Sequence, residues 1–316
     1  MGDNLYIPKF SVFNELRRQA VEQLENIAKS KYEKVLKALP VLPKNEPLKQ
    51  SNNKISILLN KLNSSTDYSI LENVNRIYIP LKHFLNSDLF NALDSLCKTQ
   101  NIYIYMPTIT KKNYANIIHN KLNNIVNRFK IKGFVVSNLS QIEILKEYSL
   151  ELVGNYTLNV FNNNTVKELE NLGLGGYTIS PELDKQTINN LSTQSTIQPE
   201  VICYGYLPLM NCNYCLLGKS NKCYADCKQF CKDNTYYLKD RIGFLFEVVP
   251  DNIETVTTIY NSKITSISPL DLNCSFIRLD FWNEDIGEIN SIINTYLEGK
   301  RIEGQNYTNG NMNREV

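Results

Sequence analysis

The chain has 316 residues, a formal net charge of +2 and a hydrophobic content of 42%. This length accommodates one large α/β domain or two small ones with a substantial core. The near-neutral charge indicates no overall attraction to nucleic acid, and no apolar stretch approaches the roughly 20 residues of a membrane-spanning helix. We therefore expect no membrane segment.

The first predicted element is a helix from Ser11 to Leu39, in which apolar residues recur every three or four positions. The following segment, Pro40 to Asn53, contains three prolines, which is typical of a linker. Residues 1–53 are therefore predicted to be a helical arm and its linker, outside the main domain.

From Lys54 onward, short apolar runs alternate with segments of helical spacing, which predicts parallel strands joined by crossover helices. Eight strands fit a (β/α)8 barrel over residues 54–298, regular or irregular. An open doubly wound sheet is the alternative, but no G-x-G-x-x-G motif follows any strand. The candidate strands are Ile55–Leu59, Arg76–Ile79, Ile102–Met106, Gly133–Ser137, Tyr156–Val160, Gly176–Ile179, Val201–Tyr204 and Phe276–Asp280. The helical segments are Ser87–Lys98, Asn113–Phe129, Ser140–Tyr148, Thr165–Leu172, Asp184–Leu191 and Asp285–Leu297.

The seventh unit breaks this alternation with an insertion at residues 207–275. It contains a cysteine-rich run, a predicted hairpin of Tyr236–Lys239 and Phe244–Val249, and a third strand at Thr257–Ser262. An insertion after a barrel strand lies at the C-terminal face, where the active sites of this fold gather. The last segment, Gly299–Val316, is polar and without periodicity, which by itself indicates a frayed tail.

The cysteine run has the spacing C-x2-C, then seven residues, then C-x3-C-x3-C. Thiolates at such separations can converge on one centre, either tetrahedral zinc or an iron–sulfur cluster. Because the N-terminus lacks a signal-peptide pattern, clustered thiols favour a metal site in a cytoplasmic protein over disulfides. The spacing leaves both metals, and reduced thiols without metal, open. The five cysteines are Cys212, Cys215, Cys223, Cys227 and Cys231.

Polar residues at predicted strand ends are the candidates for barrel chemistry. Glu182 and Asp280 are a candidate carboxylate pair for acid–base work or metal binding, with Tyr204 as a third candidate catalytic residue. The alternative is that Glu182 caps a helix and Asp280 only ends a strand. The other strand-end candidates are Asn60, Asn138, Asn159 and Ser180, of which Asn159 is a candidate substrate contact.

The predicted hairpin turn carries Lys239 and Arg241, which are candidate contacts to an anionic substrate such as RNA phosphate. An ion pair with Asp240 within the turn is the alternative. The chain has two histidines, His83 and His119. Neither forms, with a serine or a cysteine, the sequence pattern that is typical of a nucleophilic triad.

Several segments spread along the chain have the form of family signatures. They are Tyr204–Met210 with Tyr214-Cys215, Tyr237–Gly243, Ile259–Lys263, Leu158–Asn162, Ser180–Leu183, Tyr6–Pro8 with Asn14–Arg18, and Tyr307–Gly310. Together they resemble the collagenase-like peptidases of unassigned family 32, the peptidase U32 family, and the resemblance spans nearly the whole chain.

The resemblance implies a barrel-like fold and a bacterial, cytoplasmic protein. It also implies a disputed activity, because no accepted peptidase nucleophile is assigned, whereas other members are oxygen-independent hydroxylation factors with a four-iron cluster on four cysteines. Those members act on tRNA, ribosomal RNA or the ubiquinone precursor.

The resemblance implies a [4Fe–4S] cluster on Cys215, Cys223, Cys227 and Cys231, with structural zinc as the alternative. Cys212 is the spare, since relatives lack a thiol there.

The chain also departs from the family. It resembles the C-terminal half of a long member without the N-terminal half. Pro208 stands where the catalytic-type signature has a cysteine, residues 254–258 lack a thiol that many relatives carry, and Asn311 replaces a frequent histidine. Either the extra thiols replace the missing ligand, or the site no longer binds a cluster.

The leading hypothesis is therefore a barrel with a cysteine-ligated cluster at its C-terminal mouth. It would act as a hydroxylation factor for RNA or a comparable aromatic substrate, or as the accessory half of one. The alternatives are a collagenase-like peptidase with unassigned catalytic residues and a non-catalytic scaffold half with structural zinc. The expected partners are RNA, another family member or a separately encoded N-terminal half.

Overall fold

The computed structural model describes residues 9–32, 54–220 and 234–314, together with residues 227, 229 and 231. The chain divides into two compact units, Met1–Lys44 and Asn45–Val316. In the first, helix α1 (Phe10–Ser30) confirms that the arm is helical, and none of its side chains is buried. Residues 33–39 of the predicted helix and the predicted linker lie outside the described residues.

Eight parallel strands of the second unit close into a barrel, as predicted. The first seven follow one another around the barrel in chain order, and the eighth pairs with both the seventh and the first. They are β1 (Lys54–Leu59), β2 (Arg76–Pro80), β3 (Ile102–Tyr105), β4 (Gly133–Val136), β5 (Glu151–Gly154), β6 (Gly176–Thr178), β7 (Gln198–Gly205) and β13 (Phe276–Phe281).

An apolar layer joins the strands to the surrounding helices. Ile57, Ile79 and Ile104 of neighbouring strands share one buried core with Leu93 and Leu122 of the helices. Burying this apolar area is the main favourable term in the stability of the fold. None of the described helices is both long enough and apolar enough to cross a bilayer. The helices that pack around the barrel are α2 (Phe90–Thr99), α3 (Lys112–Phe129), α4 (Leu139–Leu145), α5 (Asn163–Asn171), α6 (Lys185–Thr193) and α8 (Ile286–Leu297).

The inside of the barrel carries a buried ion pair. Side chains alternate between the two faces of a strand, so Arg278 and Asp280 on β13 share a face. The Arg278 guanidinium is fully buried and donates to both carboxylate oxygens of Asp280, at 2.6 and 3.0 Å. It also donates to Oδ1 of Asn155 at 3.0 Å. This arginine therefore links β13 to the end of β5 on the opposite side of the barrel.

A second buried carboxylate, Glu200 on β7, satisfies its oxygens with neutral donors. It accepts hydrogen bonds from the hydroxyls of Ser56 (2.5 Å), Tyr78 (2.6 Å) and Thr178 (2.8 Å). Its Oε1 lies 3.9 Å from Nη1 of Arg278. A buried charge is costly unless it is paired and hydrogen-bonded, so these contacts offset the cost of burying the Glu200 carboxylate.

The insertion after β7 forms a separate antiparallel sheet, which we call the mouth sheet. Its strands are β8 (Pro208–Cys212), β9 (Tyr236–Lys239), β10 (Leu245–Asp251) and β11 (Val256–Tyr260), in the order β8-β11-β10-β9. The short helix α7 (Leu216–Ser220) follows β8. The predicted hairpin is confirmed, but β8 was not predicted. The third strand ends at Tyr260 rather than Ser262, because the pairing shifts between Ile259 and Tyr260 and the chain then turns away.

Two carboxylates attach the mouth sheet to the barrel. Helix α3 begins after Lys111, which offers no side-chain cap of its own. Glu254, in the turn between β10 and β11, replaces that cap: its Oε1 accepts the backbone N–H groups of Lys111 (3.0 Å) and Tyr114 (2.5 Å). On the other side, Glu247 accepts a hydrogen bond from the Trp282 indole at 2.7 Å. These contacts fix the mouth sheet to the start of α3 and to the end of β13.

The predicted frayed tail is wrong for the described residues up to 314. Strand β14 (Tyr307–Thr308) pairs with β12 (Ile264–Ser266), which in turn pairs with β7. Met312 is buried, and the Asn311 amide donates to the carbonyl of Pro181 at 3.3 Å. The sequence signal was weak because two residues of strand and one buried methionine have no periodicity.

The predicted strand at Tyr156–Val160 is also wrong, since β5 is Glu151–Gly154. Asn155 ends that strand and is fully buried, donating to the Tyr105 hydroxyl (2.6 Å) and to Ser137 Oγ (3.0 Å). Residues 156–158 form a 3-10 turn, which ends at Asn159 with a φ of 53°. The bulky residues of this segment imitate a strand, but the buried polar contacts of Asn155 end the strand earlier.

We expect Glu254→Ala to destabilise the fold by about 1–2 kcal/mol, since two N–H groups at the start of α3 lose their acceptor. Urea denaturation measures this loss. Glu254→Gln, whose amide oxygen still accepts, should lose less, and the exposed Glu168→Gln should change stability by less than about 0.5 kcal/mol. Equal stability of the alanine variant and the wild type would contradict this role.

Candidate functional site

A cavity of about 120 Å³ lies between the C-terminal mouth of the barrel and the mouth sheet, and we call it the mouth cavity. Active sites of this fold gather at that end of the barrel. The barrel contributes the residues that follow β1, β2, β3 and β13, and the mouth sheet contributes parts of β8, β10 and β11. The lining residues used below are Asn60, Lys82, Tyr105, Tyr114, Asp251, Tyr260 and Trp282.

One wall of the mouth cavity is aromatic. Trp282 follows β13, and its ring lies 4.8 Å from that of Tyr260 at the end of β11. The indole is held in place by its hydrogen bond to Glu247. The Lys61 amine lies 5.9 Å from the indole ring and donates to Oδ1 of Asn283 at 2.6 Å. The aromatic wall is therefore fixed from both the barrel and the mouth sheet.

Lys82 supplies a cation to the mouth cavity. Its amine has no hydrogen-bond or ion-pair partner within the described part of the chain. Burial lowers the pKa of this amine, and the nearby Lys61 lowers it further, while Asp251 and Cys231 act in the opposite direction. A cation without a partner at the edge of a cavity is available to an anionic ligand.

Asp251 is an anion in the lining of the mouth cavity, and its oxygens already accept hydrogen bonds. Oδ2 accepts from the Tyr114 hydroxyl at 2.6 Å, and Oδ1 accepts the backbone N–H groups of Ile253 (2.8 Å) and Glu254 (3.0 Å). Burial and the adjacent carboxylate raise the pKa of Tyr114. Asp251 thus serves mainly to shape the turn that carries Glu254.

The three predicted catalytic residues have different surroundings. Glu182 is exposed and follows β6, with its backbone N–H directed at Ser180 Oγ. Asp280 lies inside the barrel in its ion pair with Arg278, and burial raises its pKa although that arginine lowers it. Tyr204 is buried and donates to Glu284 at 2.8 Å, and burial raises the pKa of its hydroxyl. The contacts of these described residues do not join Glu182 to Asp280, so their pairing stays a prediction.

The backbone after Tyr204 requires a glycine. Gly205 has a φ of +128°, and a Cβ at this position would lie 2.6 Å from the Asp280 carbonyl oxygen. Only glycine fits this backbone conformation and this close approach of β7 to β13.

The predicted substrate contacts lie apart from the walls of the mouth cavity. Asn159 accepts from Ser180 Oγ at 3.2 Å. Lys239 and Arg241 are exposed at the β9–β10 turn. Asp240, between them, accepts the backbone N–H groups of Ile242 and Phe244 at 2.9 and 2.8 Å, so its carboxylate stabilises the turn itself. A role for these residues in binding stays a prediction.

The described cysteines of the run lie on and beyond the mouth sheet. Cys212 ends β8 and pairs in register with Thr257 of β11. Cys215 precedes α7, where the Thr257 hydroxyl bonds to both neighbouring backbone groups. Cys227 is exposed and Cys231 is half-buried.

The metal centre also stays a prediction. Cys223 lies outside the described residues, and within them no three His, Cys, Asp or Glu side chains are grouped to hold a metal ion.

Other strand-end residues have local roles. Asn60 donates to the Phe281 carbonyl at 3.0 Å, and Asn138 forms a capping box with Gln141 at the start of α4. His83 lies 2.9 Å from the Asn60 carbonyl oxygen through Nε2, and burial lowers its pKa to about 4. His119 is exposed on α3.

Sequence reasoning missed Lys82, Trp282, Glu200 and Arg278. Arg278 carried a signal, because a strand that reads apolar on one face has Arg278 and Asp280 on the other. Lys82 carried no sequence signal, since a lysine after a strand is common. It lines a cavity only because the mouth sheet packs against this end of the barrel.

The low pKa of His83 predicts a loss of stability in acid. An unfolded histidine binds a proton near pH 6.5, whereas the folded site resists it down to about pH 4. The stabilisation is therefore complete above pH 6.5 and is lost as the pH falls toward 4, by up to about 3 kcal/mol. Urea denaturation across this window should show a flatter pH dependence for His83→Gln than for the wild type. His119→Gln should behave as the wild type does, and parallel curves for all three proteins would disprove the assignment.

Comparison with known proteins places the chain in a family. The family model for peptidase family U32 matches residues 75–275, which is more than half of the chain and includes the cysteine run and the mouth sheet. No curated protein matches. A solved structure, that of the U32 peptidase Mk0906, is similar at 11% sequence identity and a TM-score of 0.45, covering 78% of this chain and 98% of that one. On the strength of the family model, the chain belongs to peptidase family U32.

Proposed function

We propose that this U32 protein is a hydroxylation factor, or the accessory half of one, that uses a metal centre on the cysteine run beside the mouth cavity. The observation that supports this is the position where the cysteine run begins, because Cys212 ends β8 and its neighbour Asn211 lines the mouth cavity. The start of the run is attached to the mouth sheet through Thr257.

The residues that would hold the centre are Cys215, Cys223, Cys227 and Cys231. Four thiolates suit a [4Fe–4S] cluster, and four-thiolate zinc is the alternative occupant. A cluster would supply the electron transfer that hydroxylation requires.

The chain's own residues would bind and orient the substrate. An RNA base or a comparable aromatic ring is the substrate class that we propose, since Trp282 and Tyr260 offer aromatic faces at the mouth cavity. The exposed Lys239 and Arg241 would contact the phosphates of an RNA from the tip of the mouth sheet. Asp280 is committed to Arg278, so its proposed contribution is to hold the barrel interior rather than to move a proton.

We expect anaerobically purified protein to contain about four iron and four sulfide per chain and to be brown, with Cys223→Ser losing both iron and colour. Metal and sulfide analysis with absorbance spectroscopy measures this. Cys97→Ser, on α2 away from the run, is the matched control and should retain the metal. Colourless protein with one zinc per chain would refute the cluster hypothesis and support the alternative of a non-catalytic scaffold half with structural zinc.

The family name also requires a test of proteolysis. Cleavage of gelatin or collagen that survives both chelation and thiol alkylation would favour a peptidase over a hydroxylation factor. Hydroxylation that is lost in Cys223→Ser, without such cleavage, would favour the hydroxylation factor. Co-purification with another family member, with neither activity, would favour the non-catalytic scaffold half.

A further inference from the structure

The size and walls of the mouth cavity limit what it can hold. A cavity of roughly 150 Å³ is enough for benzene, and drug-sized ligands occupy about 300 Å³ or more. At about 120 Å³ and open to solvent, the mouth cavity suits one small ring rather than a whole nucleotide, whose sugar and phosphate would stay outside. Its wall of Trp282 and Tyr260 presents flat aromatic surface to such a ring.

The charges around the cavity favour a ligand with one negative charge. The Lys82 amine has no partner within the described residues, whereas Lys61 already donates to Asn283. Asp251 also lines the cavity, and its oxygens accept from Tyr114 and from backbone N–H groups. The Lys82 cation attracts one carboxylate, whereas the nearby Asp251 carboxylate disfavours a second negative charge on the ligand.

We propose that the mouth cavity is a binding site for a small monocarboxylate that carries one flat ring, with the carboxylate on Lys82 and the ring against Trp282. Asn60 offers a further polar group at the cavity wall. Binding at this site requires no metal on the cysteine run. A failure of this proposal can therefore be distinguished from a failure of the proposed function.

Sodium benzoate is the probe, and the chain provides its own reporter, because Trp282 is the only tryptophan. Titration of the purified full chain with benzoate should change the tryptophan fluorescence in a saturable way, and calorimetry should give the same dissociation constant. Lys82→Met should weaken binding by about tenfold or more, as expected for the loss of a charged hydrogen bond. Lys121→Met, on the exposed surface of α3, is the matched control and should bind as the wild type does.

Ligand variation tests the proposal on the wild-type protein alone, should Lys82→Met fold poorly. Neutral benzamide should bind at least about tenfold more weakly than benzoate, and the dianion phthalate should also bind more weakly. No saturable response to benzoate up to its solubility limit would overturn the proposal. Equal affinity for benzoate and benzamide, or for the wild type and a folded Lys82→Met, would overturn it as well.

Discussion

The attachment of the mouth sheet to the barrel is the constraint on which the candidate site depends. Glu254 caps α3 from a distant part of the chain, and Glu247 holds the Trp282 indole. Both carboxylates are buried, so each bond is protected from competing water. Together with the bond from the Tyr114 hydroxyl to Asp251, they hold the mouth sheet against the barrel and so form the cavity that Lys82 lines.

Beneath the cavity, the barrel interior contains a network of buried charged and polar side chains. Arg278 connects Asp280 and Asn155, and Glu200 collects hydroxyl donors from three other strands. Such a network is costly to desolvate, and its benefit is geometric, because each polar group has one satisfactory arrangement. The interior thereby fixes the relative positions of the strand ends that line the mouth.

The two proposals concern the same end of this family U32 protein. Cys212 ends β8, whose Asn211 lines the mouth cavity, and Trp282 and Tyr260 form the aromatic wall of that cavity. A metal centre on the run and an organic anion on Lys82 would then be neighbours. In the proposed hydroxylation factor, this would place an electron-transfer group beside a small bound acid, whereas in a scaffold half the small-molecule site could remain without the metal.

The sequence by itself determined the alternation of strands and helices, the closed barrel, the insertion after the seventh strand and its hairpin, because periodicity and turn residues act over a few neighbouring positions. It misplaced β5 and missed β8, the docked tail, Lys82 and the interior role of Arg278. These features were decided only by the tertiary structure. Glu254 and Lys111 are 143 residues apart, and Tyr78 and Glu200 are 122 apart. No local pattern encodes which distant donor satisfies a buried carboxylate.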